Sequence, residues 1–226
     1  MYGSDGVPDS ASSVFGPRVG VAAAYAELLA GPGIERGLLG PREAPRLWDR
    51  HILNSAVLAE LVEPGLRVAD VGSGAGLPGI PLAIARPDLE MVLIEPLLRR
   101  SEFLTEAVQR LRLESVTVLR SRAEDVTPSA TFDVVAARAV APMERLAGWT
   151  LPLLRPGGLL LAMKGESVSE ELRDSAASLA RMGATSWRVE VAGTGVVEPV
   201  ARVAVVTAGR ADRVPERGAR QRRKNR

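Results

Sequence analysis

Short apolar runs and helix-like segments alternate along most of this chain. The apolar runs, which are typical of buried strands, fall at 66–71, 90–95, 116–119, 132–137 and 158–163. The spacing of apolar positions predicts helices at 79–86, 97–113, 142–154 and 167–182. This alternation predicts an α/β fold with a mostly parallel sheet and helices on both of its faces.

The two flanks of this region depart from the alternation. Strand-like runs at 185–191 and 200–207 are joined by a loop containing Gly and Pro, and they predict a C-terminal antiparallel hairpin. The hairpin would complete a seven-stranded sheet in a domain over 64–209. Upstream, helices predicted at 19–30 and 41–61 form an N-terminal helical extension over 17–63.

The two termini have the composition of disordered segments. Residues 1–16 are rich in Gly, Ser, Pro and Asp, so this N-terminus is expected to be disordered. Residues 210–226 hold eight basic and two acidic side chains, whereas the net charge of the whole chain is only +2. We expect a disordered basic tail that contacts phosphates, with a merely solubilising tail as the alternative.

A glycine-rich turn follows the first strand of the predicted sheet. Residues 66–80 read LRVADVGSGAGLPGI, in which Gly72, Gly74 and Gly76 permit positive φ and close approach of a ligand to the backbone. Gly74, Gly76 and Gly79 also match the G-x-G-x-x-G spacing of dinucleotide-binding turns. The spacing alone therefore leaves a nicotinamide or flavin cofactor open.

Charge favours one cofactor over the others. Asp70 ends the first strand, where its carboxylate is expected to face the ligand. It would repel a pyrophosphate but attract the sulfonium and amino groups of S-adenosylmethionine. Glu95 ends the next strand, 23 residues after Gly72, and is the candidate for the ribose hydroxyls. The alternative for Glu95 is a solvated acid at a strand end.

Further polar side chains follow the later strands. Ala123 and Glu124 lie in SRAED after the third strand and could contact adenine, although the segment could also be an ordinary capping loop. Arg138 follows the fourth strand, next to the expected methyl group, and could hold a phosphate, a base or the cofactor carboxylate. Lys164 ends the fifth strand and could act similarly.

The residue inventory excludes several kinds of site. The chain has no cysteine, and His51 is its only histidine, so a Cys–His nucleophile and a conventional zinc site are excluded. Arg50 and Asn54 lie within one helical turn of His51, but a lone histidine near apolar residues is more often structural than catalytic. No long apolar run or secretory leader is present, so we expect a cytoplasmic protein without metal or membrane partner.

Five motifs occur in an order that resembles one family. They are RHILNS, VADVGSGAGLPGIPLA, SRAED, ARAVAP and MKG, within about residues 20–208. In this order they resemble the RsmG (GidB) family of bacterial 16S rRNA methyltransferases. The resemblance implies a Rossmann-like class I methyltransferase that modifies N7 of a guanine in the 530 loop. Its substrate would be 16S rRNA, as free RNA or within the 30S subunit or its precursor.

The resemblance also assigns roles to residues. Gly72, Leu77, Ala123, Glu124 and Arg138 are similar to the family's cofactor contacts, and the physical argument adds Asp70, Gly74, Gly76 and Glu95. The expected RNA contacts are Arg50, His51, Asn54, Arg99, Lys164 and Arg202. Asn54 stands where Asp is frequent in relatives, which weakens any role that needs negative charge there. Guanine N7 has a free lone pair, so no general base is expected, and Arg138 is the candidate positioning group.

Two other functions stay open from the sequence. The protein could be a methyltransferase that acts on another substrate, in which case the tail and the Arg138 region would be irrelevant to activity. It could also be a non-catalytic RNA-binding factor that keeps the fold, which predicts no methyl transfer with bound cofactor. The intact glycine turn, Asp70 and Glu95 argue against that second alternative.

Overall fold

A seven-stranded sheet organises this computed structural model, which describes residues 6–126, 131–138 and 140–209. The strand order is β3-β2-β1-β4-β5-β7-β6, in which β1 to β5 are parallel and β7 is antiparallel to both β5 and β6. The strands are β1 (Arg67–Val71), β2 (Glu90–Ile94), β3 (Val116–Leu119), β4 (Phe132–Arg138), β5 (Leu154–Lys164), β6 (Ala184–Ala192) and β7 (Ala201–Ala208). The predicted sheet and its terminal hairpin are confirmed.

Helices cover both faces of the sheet. The α-helices are α1 (Asp9–Phe15), α2 (Val19–Leu28), α3 (Asn54–Ala56), α4 (Gly79–Ala85), α5 (Leu98–Arg110), α6 (Met143–Thr150) and α7 (Val168–Arg181). Alternate strand residues belong to two separate apolar layers. On one face, Val68 and Leu93 pack with three groups of helices: those of the N-terminal extension, α4 and α5. Ala69 and Ile94 pack on the other face with α6 and α7.

The N-terminal extension is helical but irregular. Residues 41–61, here called the irregular helical segment, consist of the 3₁₀ turn Pro41–Arg46, the π-helical Leu47–Leu53, α3 and the 3₁₀ turn Val57–Leu61. The sequence predicted one continuous helix there. Pro45 lies inside the segment, where it has no N–H to donate and its ring would clash with the carbonyl of residue 41, so a regular α-helix cannot run through this position.

The prediction of disorder over residues 1–16 is wrong from residue 9 onward. Asp9–Phe15 form α1, in which Ala11 is fully buried and Phe15 is 4% exposed. These side chains pack against α2 and α4, and this tertiary burial outweighs the polar composition of the segment. Residues 1–5 and the basic tail 210–226 lie outside the described residues.

Candidate functional site

A cavity of about 720 Å³ opens at the carboxyl ends of β1, β2 and β4. The strand order reverses between β1 and β4, and open α/β sheets bind their ligands in the crevice beyond such a switch point. Of the nine predicted cofactor contacts, seven line this cavity: Gly72, Gly74, Leu77, Glu95, Ala123, Glu124 and Arg138. The fold thus gathers residues from four separate motifs around one space.

The glycine turn approaches the cavity with bare backbone. Gly72 has φ +73° and Gly74 has φ +58°, in the left-handed region that favours glycine. A Cβ on Gly72 would also lie 3.0 Å from a methyl carbon of Val140. Side chains are therefore disfavoured at these two positions, where the backbone itself borders the cavity.

Gly76, one of the predicted cofactor contacts, has a packing role in the turn. Its φ is +99°, and a Cβ there would lie 2.5 Å from Ile80 Cδ1 and 2.9 Å from the hydroxyl of Tyr25. Gly76 is also not among the residues that line the cavity. Glycine is required at this position because α2 and α4 press against the turn from behind.

Asp70 does not line the cavity, where the sequence predicted that its carboxylate would face a ligand. Its carboxylate is fully buried below the turn, where Oδ2 accepts a hydrogen bond from the backbone N–H of Gly79 at 3.0 Å. Oδ1 has no hydrogen-bond partner among the described residues. Burial raises the pKa of Asp70 to about 7. The side chain joins the turn to the start of α4, because Asp70 shares with Val68 the face of β1 that packs toward α4.

Glu95 does face the cavity, as predicted for a ribose-binding acid. It is 2% exposed, its Oε2 accepts from Gly74 N–H at 3.0 Å, and its Oε1 accepts from Leu97 N–H at 3.0 Å. The guanidinium of Arg100 lies 3.8 Å from Oε2. Each oxygen keeps a second lone pair, so this carboxylate is held in place and can still accept hydrogen bonds from two hydroxyls.

The sequence missed several residues of the cavity wall. Arg145 and Trp149 of α6 lie beside Ala123 and Glu124, and the Arg145 guanidinium stacks 4.7 Å from the Trp149 ring centroid. Tyr25 of α2 donates a hydrogen bond from its hydroxyl to Ala75 O at 2.8 Å and so holds the glycine turn from outside. An aromatic residue on a distant helix gives no local signal of such a role.

His51 lies on the cavity wall between a carboxylate and a guanidinium. Its Nε2 is 2.7 Å from Glu43 Oε2, and its Nδ1 is 3.1 Å from Nη2 of Arg138. Because a guanidinium can only donate, Nδ1 accepts and Nε2 carries the proton that is donated to Glu43. Burial lowers the pKa of His51, which favours this neutral form.

Arg138 joins β4 to the irregular helical segment. Its Nη1 donates to His51 O at 3.2 Å and to Ser55 Oγ at 2.8 Å, and its Nη2 donates to Arg50 O at 2.8 Å and to His51 Nδ1. Burial lowers the pKa of Arg138 to about 10, so the group stays charged at neutral pH. The four hydrogens on its terminal nitrogens are used within the protein, which suits a positioning group better than a direct phosphate contact.

The predicted RNA contacts divide into three locations. Arg50, Asn54, Lys164 and Arg202 line a second cavity beside the first, and His51 belongs to the first. Arg99 is exposed on the first turn of α5, outside both cavity walls. Lys164 is 10% exposed and donates to Ala141 O and to Glu171, so its charge is already paired.

Two other kinds of feature are absent from the described residues. No helix among them is long and apolar enough to cross a membrane. Within the same residues, no group of three or more His, Cys, Asp or Glu side chains is arranged to hold a metal ion.

The fold has relatives among solved methyltransferases. M. jannaschii TYW2 in complex with AdoMet matches with a TM-score of 0.55 and 19% identity, over 71% of this chain and 76% of that chain. A SAM dependent methyltransferase from Aquifex aeolicus matches with a TM-score of 0.52 and 19% identity, over 81% and 97% of the two chains. The predicted Rossmann-like methyltransferase fold is confirmed.

Sequence relatives are much closer. Proteins named Ribosomal RNA small subunit methyltransferase G include one from Mycolicibacterium gilvum, 56% identical over 95% of this chain and 96% of its own length. Another, from Streptomyces avermitilis, is 56% identical over 89% of this chain and 85% of its own length. A family model described as rRNA small subunit methyltransferase G matches residues 20–198. As its ordered motifs predicted, the chain belongs to the GidB family, rRNA small subunit methyltransferase G.

Proposed function

We propose that this protein transfers a methyl group from S-adenosylmethionine to N7 of a guanine in the 530 loop of 16S rRNA. The observation that carries the proposal is the family match over residues 20–198, supported by relatives that are named for ribosomal RNA and align over nearly their whole length. The choice of N7 and of the loop rests on the motif resemblance in the sequence.

The first cavity fits S-adenosylmethionine in size and in chemistry. Its volume of about 720 Å³ lies in the range of ~300–1,000 Å³ typical of small-molecule sites. Glu95 would hold the ribose hydroxyls, Ala123 and Glu124 the adenine, and the bare backbone of Gly72 and Gly74 would lie against the rest of the cofactor. TYW2, which shares the fold, was solved in complex with AdoMet.

The acids of the cavity suit a cationic ligand. Glu95 and Glu43 both line it, and the hydrogen bond from His51 lowers the pKa of Glu43, which keeps that carboxylate ionised. A carboxylate on the wall attracts the sulfonium and amino groups of the cofactor, and arginines that also line the cavity, such as Arg100 and Arg145, can attract its carboxylate.

The reaction needs alignment more than acid–base chemistry. The bound cofactor supplies an electrophilic methyl group on a sulfonium. Guanine N7 attacks the methyl carbon with its own lone pair, while the methyl–sulfur bond breaks and the sulfur keeps its electron pair. N7 loses no proton, so the residues of the site have to orient the acceptor and exclude water. Arg138 and His51 serve this by fixing the irregular helical segment against β4, next to the cavity.

The RNA side of the proposal involves other parts of the chain. Arg50, Asn54 and Arg202 lie around the second cavity, and the basic segment 210–226 would add contacts to phosphates. We propose 16S rRNA as the partner, as free RNA or within the 30S subunit or its precursor. Action on ribosomal RNA implies a cytoplasmic location.

The test is transfer of labelled methyl from S-adenosylmethionine to 16S rRNA and to 30S subunits, with the product nucleoside identified by mass spectrometry. Labelled 7-methylguanosine at one site is expected. Gly72→Ala should abolish transfer, because its Cβ would meet Val140 at a positive φ. Gly157→Ala is the matched control, since Gly157 has φ +81° but open space around it. Absence of transfer to both RNA forms, with the cofactor bound, would refute the proposal.

A further inference from the structure

A second cavity of about 670 Å³ lies beside the first, at the ends of β4 and β5 and the start of β7. Sheet pairing brings its walls together: Arg138 stands beside Met163 in the parallel β4–β5 pair, and Lys164 stands beside Arg202 in the antiparallel β5–β7 pair. The irregular helical segment closes the cavity from above. Its volume is again that of a small-molecule or nucleotide site.

Basic side chains outnumber acidic ones in the lining of this cavity. Five basic side chains line it, Arg46, Arg50, Arg138, Lys164 and Arg202, against three acidic ones. Arg46 and Arg202 are exposed at its mouth. Basic groups that surround a cavity at its entrance favour a ligand with a phosphodiester backbone over a neutral metabolite.

Two residues, Arg50 and Arg138, line both cavities and so mark the junction between them. The terminal nitrogens of Arg138 are used in bonds to the irregular helical segment. The side chain of Arg50 is 50% exposed, and its ion pair with Glu43 is long, at 3.6 Å. Arg50 is therefore the cation at the junction with donors to offer to a ligand.

We propose that the second cavity is the acceptor subsite, which holds one guanine nucleotide flipped out of the RNA. In it, Arg50 donates a hydrogen bond to guanine O6, while Arg46 and Arg202 contact the neighbouring phosphates. This assignment rests on the proposed function and names the residues that select its substrate. A base inside a duplex cannot bring N7 to a buried methyl group, which is why the nucleotide must be extruded.

The chemistry of the base explains why an arginine stands at the junction. N7 must remain uncovered to receive the methyl group, and O6 is the acceptor beside it on the same edge. Adenine presents an amino donor at that place, and a guanidinium cannot accept a hydrogen bond. Arg50 therefore favours guanine and disfavours adenine without covering N7.

The first part of the test examines the proposed phosphate contacts through KM for RNA and the salt dependence of RNA binding. It is done at saturating S-adenosylmethionine, on whichever RNA form the wild type methylates. Arg46→Ala and Arg202→Ala should each raise KM for RNA by ~5- to 10-fold and reduce the salt slope of RNA binding by about 1. Their Kd for S-adenosylmethionine should stay within about twofold of the wild type, because neither residue lines the first cavity. Arg173→Ala, an exposed arginine on α7, is the matched control.

The second arm pairs a deletion on the enzyme with one on the substrate. In 16S rRNA ligated with 2-aminopurine at the methylated position, the base keeps N7 but lacks O6. The wild type should lose ~10- to 100-fold in kcat/KM on this RNA, whereas Arg50→Ala should lose less than about threefold. Each loss is the ratio of kcat/KM on the two RNAs for one and the same enzyme. An effect of Arg50→Ala on cofactor binding therefore cancels from this ratio.

The outcomes separate this proposal from the function on which it rests. Equal losses in the wild type and Arg50→Ala would show that Arg50 does not contact O6. If Arg46→Ala and Arg202→Ala behave like Arg173→Ala, the second cavity is not the acceptor subsite, while the proposed function stands. If the wild type binds S-adenosylmethionine but methylates neither RNA form, both proposals are overturned.

Discussion

Replacing Asp70 by asparagine removes a buried charge while the shape of the side chain stays nearly the same. The carboxyl is fully buried below the glycine turn, and its pKa is raised from 3.8 to about 7. In the unfolded chain the group ionises near its ordinary pKa. The stability that comes from its protonated form is therefore fully present below about pH 4 and is lost as pH rises toward 7.

The size of this effect follows from the pKa difference of about 3 units, at ~1.4 kcal/mol per unit. Between pH 5 and pH 8, the free energy of unfolding of the wild type should fall by ~3 kcal/mol relative to that of Asp70→Asn. The measurement is urea unfolding of both proteins at several pH values in this window. Parallel pH profiles would refute the reasoning.

Asp88→Asn provides the matched control for this experiment. The hydrogen bond from Arg86 holds the pKa of Asp88 well below its usual range, so that carboxylate stays ionised throughout pH 5–8. Its replacement should change stability by the same amount at every pH. Asp70→Asn should also bind S-adenosylmethionine within about threefold of the wild type, since the carboxylate does not line the cavity. A hundredfold loss would mean that Asp70 contacts the cofactor.

Four further outcomes are expected. Glu95→Gln should weaken S-adenosylmethionine binding by at least ~10-fold in calorimetry, because a charged acceptor for hydroxyls is worth ~1.5–3 kcal/mol. Glu90→Gln, at the opposite end of β2 from Glu95, should leave the binding unchanged. Gly76→Ala should lower the free energy of unfolding by ~2–4 kcal/mol through its contact with Ile80, compared with ~1 kcal/mol for Gly157→Ala; equal losses would contradict the packing role. Protonation of His51 removes the hydrogen-bond acceptor for Arg138, so the rate of methyl transfer should fall as pH drops below the lowered pKa of His51. If His51→Gln loses activity over the same acidic pH range as the wild type, His51 is not the group that titrates. Deletion of 210–226 should weaken RNA binding and make it less dependent on salt concentration. An unchanged salt dependence would show that the tail does not contact phosphates.

The fold could be read from local patterns because each strand and helix is set by nearby residues. The apolar runs of β1, β2 and β4 end at the same edge of any parallel sheet, so Glu95 and the glycine turn could be placed on a cavity before its walls were known. Helix α1 could not be predicted in this way, because its stability depends on burial of Phe15 in a core that includes α4, which is distant in the sequence.

The sequence by itself determined the α/β order, the glycine turn and the family, since these are written in contiguous motifs. Only the tertiary structure decided where individual side chains point. It turned Asp70 beneath the turn, set Tyr25 behind Gly76, and placed Arg138 between His51 and Ser55. It also brought residues 46 and 202 to one cavity from opposite ends of the chain. Such placements depend on long-range packing, which leaves no trace in the spacing of neighbouring residues.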